Sequence, residues 1–82
     1  MTIEQIWQTA VHTLDKHKAE DIKVLGVSHI TSIADYFLLA SGGSANQVRS
    51  LADYVEEELA KNGKHPLRNE GYQSGEWITL DY

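Results

Sequence analysis

The sequence contains no cysteine in its 82 residues, which excludes disulfides and every metal site that needs a thiolate ligand. It has one proline and no apolar run near the roughly 20 residues that span a bilayer. Basic residues are few: seven Lys and Arg stand against twelve Asp and Glu, which gives a net charge of -5. This balance disfavours broad binding to nucleic-acid phosphates and fits either a basic protein partner or a need for solubility. Without cysteine or a basic secretion signal at the N-terminus, we expect a cytoplasmic protein.

One small domain, residues 1–82, is all that this length allows, and its stability margin should be thin. The first helix is predicted from residue 3 to about 18, because Thr2 and Gln5 form a capping box before an apolar stripe. Strands are predicted at 22–27, 36–40 and 77–82, with a short edge segment near Pro66. The run at 36–40 is apolar throughout, so we expect it to be buried on both faces.

A second helix follows the glycine turn, where Ser44 and Gln47 form another capping box. Its expected buried stripe is Val48, Leu51, Ala52, Val55 and Leu59. Gly63 is the expected C′ residue, just past the end of the helix, and Pro66 follows as a stop. The resulting order, α-β-β-α-β-β, predicts an α/β domain in which the helices pack on a small mixed sheet.

The glycine turn is the first candidate site. Gly42, Gly43 and Ser44 lie between a strand and a helix, where phosphate-binding loops place their glycines. The lysine of a Walker loop and the spaced glycines of a dinucleotide fingerprint are missing. A nucleotidyltransferase needs two or three carboxylates on adjacent strands to hold Mg²⁺. Here Asp81 stands alone on its strand, and the downstream candidates Asp53, Glu56, Glu57 and Glu58 all fall in the helical pattern. We predict a tight turn in which Ser44 is the N-cap of the helix that follows, with no catalytic residue, no cofactor and no metal.

The histidines give no sign of a metal site. Positions 12, 17, 29 and 65 hold the four histidines, and no pair has the spacing of zinc ligands on one helix face. His12 and His17 are five residues apart and therefore face different sides of a helix. We predict surface or locally bonded histidines.

The end of the sequence is the second candidate site. Trp77, Asp81 and Tyr82 follow a turn that contains Glu70 and Tyr72. Aromatic residues beside carboxylates are typical of interfaces with a basic partner. Alternation puts Trp77 and Asp81 on one face of the last strand and Tyr82 on the other. One face must be core in so small a domain, so the pattern leaves open whether Trp77 or Tyr82 is an interface anchor or a core side chain.

A family resemblance covers the chain from residue 19 to 82. It is carried by Asp21-Ile22, Ser32-Ile33-Ala34-Asp35-Tyr36-Phe37, Gly42-x-Ser44-x-x-Gln47-Val48, Glu70-Gly71 and Trp77 through Asp81-Tyr82. In these motifs the sequence resembles the ribosomal silencing factor family, also called Iojap-like. The family pattern continues with Gly-Asp, a valine-rich strand and a final helix, so we expect this chain to be truncated at its C-terminus relative to the family.

The resemblance implies both a fold and a function. The fold would be nucleotidyltransferase-like, without that activity. The function would be to bind the large ribosomal subunit through large-subunit ribosomal protein fourteen and to block joining of the small subunit, which represses translation. Members tend to form homodimers, and organelle relatives act in ribosome assembly. A nucleotide-binding or nucleotidyltransferase-like enzyme is the alternative.

Residue type and position then assign the roles at the interface. Trp77 and Tyr82 would be the hydrophobic anchors, and Glu70 and Asp81 the charge partners, with Tyr72 beside them. No membrane and no sequence-specific nucleic-acid contact is expected.

Overall fold

Two helices and four strands make up the structure, a computed structural model that describes residues 1–28 and 34–82. Their order is α1 (Ile3–Lys16), β1 (Glu20–Ser28), β2 (Ala34–Ser41), α2 (Ala45–Ala60), β3 (Arg68–Glu70) and β4 (Thr79–Asp81). The predicted order α-β-β-α-β-β is confirmed. His29 and the Ser32-Ile33 part of the family motif lie outside the described residues. Within the described ranges, no helix is long and apolar enough to cross a membrane.

The strands pair in two separate antiparallel ladders, whereas the sequence suggested one small mixed sheet. In the first ladder Leu25 lies opposite Phe37. In the second, Arg68 lies opposite Asp81. Each strand pairs with its neighbour along the chain, which is the commonest arrangement, and α2 separates the two pairs in sequence. A β-bulge between Glu20 and Lys23 interrupts the first ladder.

Helix α1 begins at the predicted capping box. The Gln5 N–H donates to Thr2 Oγ1 over 3.1 Å, and the Thr2 N–H donates to Gln5 Oε1 over 2.8 Å. These bonds satisfy amides that have no partner inside the helix. The helix ends at Lys16, two residues before the predicted end, because Lys18 adopts a left-handed conformation with φ of 65°.

Helix α2 is capped at both ends by its own sequence. Ser44 Oγ accepts from the Gln47 N–H over 3.1 Å, as predicted. The second half of the predicted capping box is absent, because Gln47 Oε1 accepts instead from the N–H of Gly43, which lies beyond the end of β2. At the other end Gly63 has φ of 76°, and the Lys64 N–H donates to Leu59 O over 3.0 Å, which closes the helix.

The core lies where α1, α2 and the inner faces of both ladders meet. Its buried cluster is Ala10, Leu14, Leu51, Val55 and Leu59, with Leu59 the most buried at 1% exposure. Half-buried apolar side chains from both ladders complete it, including Leu38, Leu80 and Tyr82. The predicted stripe of α2 is thus buried, apart from Val48 at its start, which is half-buried.

Strand β2 is buried on one face only, so the prediction that both faces are buried is wrong. Tyr36 and Leu38 are half-buried, and the Tyr36 ring lies 5.7 Å from that of Trp7 on α1. Phe37 and Leu39 point the other way and are 56% and 50% exposed. Helix α1 packs against both strands of this ladder, on the side of Tyr36, and no element of the described residues covers the outer face, where Phe37 and Leu39 are exposed.

Candidate partner-binding site

A turn at residues 71–77 leads from β3 toward β4 and presents Trp77. Gly71 and Gly75 have φ of 83° and 68°, a region that favours glycine, and the Gly75 N–H donates to Gly71 O over 3.1 Å. A methyl group on Gly71 would overlap the carbonyl oxygen of Trp77. The chain therefore passes through this turn by a path that glycine permits. The turn leaves the Trp77 side chain 83% exposed.

The turn is tied to helix α2 by polar contacts. Arg49 Nε donates to Tyr72 O over 2.9 Å, and a terminal nitrogen of Arg49 donates to Gln73 O over 2.8 Å. The Tyr72 hydroxyl donates to Asp53 Oδ2 over 2.9 Å, and this hydrogen bond raises the pKa of Tyr72. Arg49 and Asp53 lie four residues apart on α2 and so share one face of the helix. This face anchors the turn from outside the core.

The two acidic candidates lie on the outer face of the β3–β4 ladder, the face that Trp77 continues. Asp81 is half-buried, and its Oδ2 lies 3.3 Å from a terminal nitrogen of Arg68. Glu70 is exposed and lies opposite Thr79 in the ladder. An ion pair this exposed contributes little to stability. It holds the Asp81 carboxylate on this outer face, where its partner Arg68 lies across the ladder.

Tyr82 lies on the inner face, away from the other candidates. Its ring packs against the core cluster together with Leu80. Its hydroxyl is buried without a hydrogen-bond partner among the described residues. Burial raises the pKa of Tyr82 to about 12. The predicted alternation of faces is therefore present: Trp77 is the exposed aromatic residue, and Tyr82 is the one that packs on the core. The regular strand is shorter than predicted and covers only Thr79–Asp81.

The structure thus groups Glu70, Tyr72, Trp77 and Asp81 around the β3–β4 turn and ladder and places Tyr82 on the opposite face. Two residues of this region were not predicted. Leu67 precedes β3 and is 76% exposed; its position after the single proline was the only local signal. Arg49 reaches residues 23 to 25 positions further along the chain, and no local pattern indicates such a contact.

The other candidate, the Gly42-Gly43-Ser44 turn, acts as the cap of α2. Gly43 donates its N–H to the Gln47 side chain, and Ser44 accepts from the Gln47 N–H. Gly42 approaches Val48 closely, since a Cβ there would lie 3.1 Å from Val48 Cγ2. The amide that would face a phosphate is thus turned toward the chain's own glutamine. Among the described residues, no three His, Asp or Glu side chains lie close enough together to hold a metal ion.

Comparison with known proteins identifies the family. The family model described as "Ribosomal silencing factor during starvation" matches residues 1–82. The chain belongs to the ribosomal silencing factor family. The resemblance seen in the sequence motifs is confirmed.

Ribosomal silencing factors from several bacteria are similar along almost the whole chain. The factor from Chromobacterium violaceum is 36% identical over 81 residues, which cover 99% of this chain and 66% of the relative. Those from Halalkalibacterium halodurans and Bacillus subtilis are 33% and 32% identical, and each alignment covers 99% of this chain and 69% of the relative. The chain therefore spans about two thirds of the length of the curated relatives it matches.

Solved structures agree with this assignment. A crystal structure of a Chromobacterium violaceum protein superposes with a TM-score of 0.89 at 36% identity, covering 99% of this chain and 68% of that one. A second, from Bacillus halodurans, has a TM-score of 0.77 at 29% identity, covering 95% and 72%. The small α/β fold of this chain is thus a fold that these proteins share. Its likeness to nucleotidyltransferases stays a prediction.

Proposed function

We propose that this chain is a cytoplasmic translational repressor that binds the large ribosomal subunit and sterically blocks joining of the small subunit. Membership of a family described by ribosomal silencing during starvation supports a ribosome-associated regulator and not an enzyme. The finer assignment, contact through large-subunit ribosomal protein fourteen and a homodimer when free, comes from the family resemblance. A role in ribosome biogenesis belongs to the same proposal.

The observation that carries the proposal is the exposure of Trp77. A tryptophan that is 83% exposed presents a large apolar surface to water, and such side chains are enriched among the anchors of protein interfaces. The turn that holds it follows a path that Gly71 and Gly75 permit, and contacts to α2 hold it there. A partner that buries the indole therefore meets a side chain whose backbone is already ordered, which lowers the entropy lost on binding.

Charge supports a basic partner at the same place. Glu70 and Asp81 lie on the face that Trp77 continues, and the chain as a whole carries a net charge of -5. Ribosomal proteins are commonly basic. Complementary charges raise the rate of association and make it sensitive to salt. Binding should therefore weaken as ionic strength rises.

The proposed mechanism needs no chemistry. The folded chain measures 39 × 24 × 22 Å along its principal axes. A body of this size on the face of the large subunit that meets the small subunit would occupy space the small subunit must enter. Repression then depends only on affinity and lifetime of the complex, not on turnover.

Co-sedimentation with purified large subunits tests the proposal. Trp77→Ala should weaken binding by about 2 kcal/mol, or about 30-fold, if the indole is an interface anchor. Phe37→Ala is the matched control, because Phe37 is also an exposed aromatic residue but lies on the other ladder. The control should bind within about threefold of the wild type. Equal binding by Trp77→Ala and the wild type would contradict the proposed face.

A charge variant and two further measurements complete the test. Asp81→Lys should weaken binding more than Asp15→Lys, a matched reversal at an exposed position of α1. Sedimentation equilibrium of the free chain tests the homodimer. Titration with ATP and Mg²⁺ addresses the alternative: saturable NMR shifts confined to Gly42–Ser44 would favour nucleotide binding over the proposal.

A further inference from the structure

Arg49 directs its guanidinium at backbone carbonyls of the turn that presents Trp77. Nε donates to Tyr72 O over 2.9 Å, and one terminal nitrogen donates to Gln73 O over 2.8 Å and to Ser74 O over 3.4 Å. The other terminal nitrogen donates to Asn46 Oδ1 over 2.8 Å. Asn46 lies one turn earlier on α2 and so orients the guanidinium. Three successive carbonyls of the turn thus converge on one cation.

This arrangement requires an arginine. The guanidinium is planar and always charged, and it offers five N–H donors in a fixed fork. A lysine would keep the charge, but its ammonium is a single point on a flexible stem and cannot meet three carbonyls and Asn46 in the same geometry. Hydrogen bonds from a charged donor are also stronger than those between neutral groups.

Packing reinforces these bonds. Gly75 is buried, and a Cβ there would lie 2.8 Å from Ala45 Cβ and 3.1 Å from Arg49 Cζ. The turn is therefore in close contact with the first turns of α2, and the guanidinium forms part of that contact. On the same helix face the Tyr72 hydroxyl adds a bond to Asp53 over 2.9 Å. A shift of the turn would break several of these contacts together.

We propose that Arg49 is a positioning residue for Trp77: by gathering the carbonyls of residues 72–74 it holds the 71–77 turn in the one shape that presents the indole. The inference rests on the proposed function for the use of Trp77 as an anchor. The ordering of the turn is a property of the free protein and can be measured without a partner. Without the hydrogen bonds from Arg49 the turn can adopt other conformations. Binding must then order the turn again, and this lowers the affinity.

Amide hydrogen exchange of the free protein, followed residue by residue by NMR, tests the positioning. Arg49→Lys keeps the charge and should speed exchange of the Gly75 and Glu76 amides about tenfold, while the amide of Leu59 in the core is unchanged. Arg49→Gln should have a larger effect. Lys61→Gln is the matched control, since it removes the same charge from the end of α2 at a residue paired with Glu58 and should leave the turn unchanged.

Two exchange results would overturn the proposal. In one, the turn amides of Arg49→Lys exchange at the wild-type rate. In the other, all amides accelerate alike, because the arginine then supports the whole fold and not the turn. Asn46→Ala is a second variant in case the Arg49 variants fail to fold. It removes only the side chain that orients the guanidinium and should speed exchange in the turn about threefold, and an unchanged rate there would count against the proposal.

Binding to purified large subunits then separates positioning from direct contact. Arg49→Lys should weaken binding about tenfold in the wild-type background and less than about twofold when Trp77→Ala is also present. Equal weakening in both backgrounds would mean that Arg49 acts independently of Trp77, and the proposal would be wrong. If the wild type does not bind large subunits, the proposed function fails, and the exchange measurement alone decides whether Arg49 orders the turn.

Discussion

Leu59→Ala should remove a large part of the stability of this protein. Leu59 lies in the last turn and a half of α2 and is the most buried side chain of the core cluster, at 1% exposure. Replacing a buried leucine by alanine loses its transfer free energy and leaves a cavity, which together cost about 3 kcal/mol. A domain of 82 residues has a free energy of unfolding of only about 4–12 kcal/mol. The substitution would thus remove a quarter or more of the total.

The expected cost converts into a large change in melting temperature. For a domain of this size, each kcal/mol lowers the melting temperature by about 4–8 °C. A loss of about 3 kcal/mol therefore predicts a fall of about 12–24 °C. Thermal unfolding followed by circular dichroism gives the melting temperature, and urea unfolding gives the free energy directly, provided that the slope against urea concentration is unchanged.

Leu67→Ala is the matched control for this experiment. It makes the same chemical change at a leucine that is 76% exposed and outside the core cluster. Its cost should be below about 0.5 kcal/mol, because little transfer free energy is lost and no cavity forms. If the two variants lost equal stability, the assignment of Leu59 to the centre of the core would be refuted.

Two further predictions concern the turns and the last tyrosine. Gly71→Ala should lower the free energy of unfolding in urea by about 2 kcal/mol or more, because the new methyl group overlaps the Trp77 carbonyl. Gly63→Ala is the control: Gly63 has a similar φ of 76° but open space around it, so the loss should be about 1 kcal/mol. Equal losses would contradict the close approach at Gly71. Above pH 10 the protein should lose stability, since the pKa of Tyr82 is raised from 10.0 to about 12 by burial and the unfolded chain releases this proton first. The stability that the neutral Tyr82 contributes is complete below pH 10 and is lost as the pH rises through 12. The urea midpoint of the wild type should therefore fall between pH 9 and pH 11, and it should fall less in Tyr82→Phe. An equal fall in both proteins would contradict the burial of the hydroxyl.

Local signals predicted the helices well, because the groups that start and end a helix are close in sequence. Thr2 with Gln5, and Ser44 with the stripe that follows it, fixed both helix starts. The errors lie where distant residues decide the structure. An apolar run at 36–40 cannot tell how many layers cover a strand, and Phe37 and Leu39 proved to be exposed. The pairing into two ladders likewise depends on contacts that no local pattern encodes.

The candidate site divides in the same way. The period of two along the last strand separated Trp77 from Tyr82, and only the packing could show which of the two faces the core. The contact from Arg49 to the 72–74 carbonyls spans more than 20 residues, so neither end of it carries a signal in the sequence. The family motifs at Glu70-Gly71 and Trp77–Tyr82 point to this region as a candidate partner-binding site, but they carry no information on how Trp77 is held.

Helix α2 therefore has two separable roles. Leu51, Val55 and Leu59 on its inner face hold the fold together, while Arg49 and Asp53 on its outer side hold the turn that presents Trp77. Arg49 and Leu59 are ten residues, or about 15 Å, apart along the helix, a distance at which the effects of substitutions normally add. Loss of Leu59 should weaken both helices and strands β1, β2 and β4, since all of them supply side chains to the core. Loss of the Arg49 fork should loosen one turn and leave the core intact, so the presentation of Trp77 can change while the fold that carries it does not.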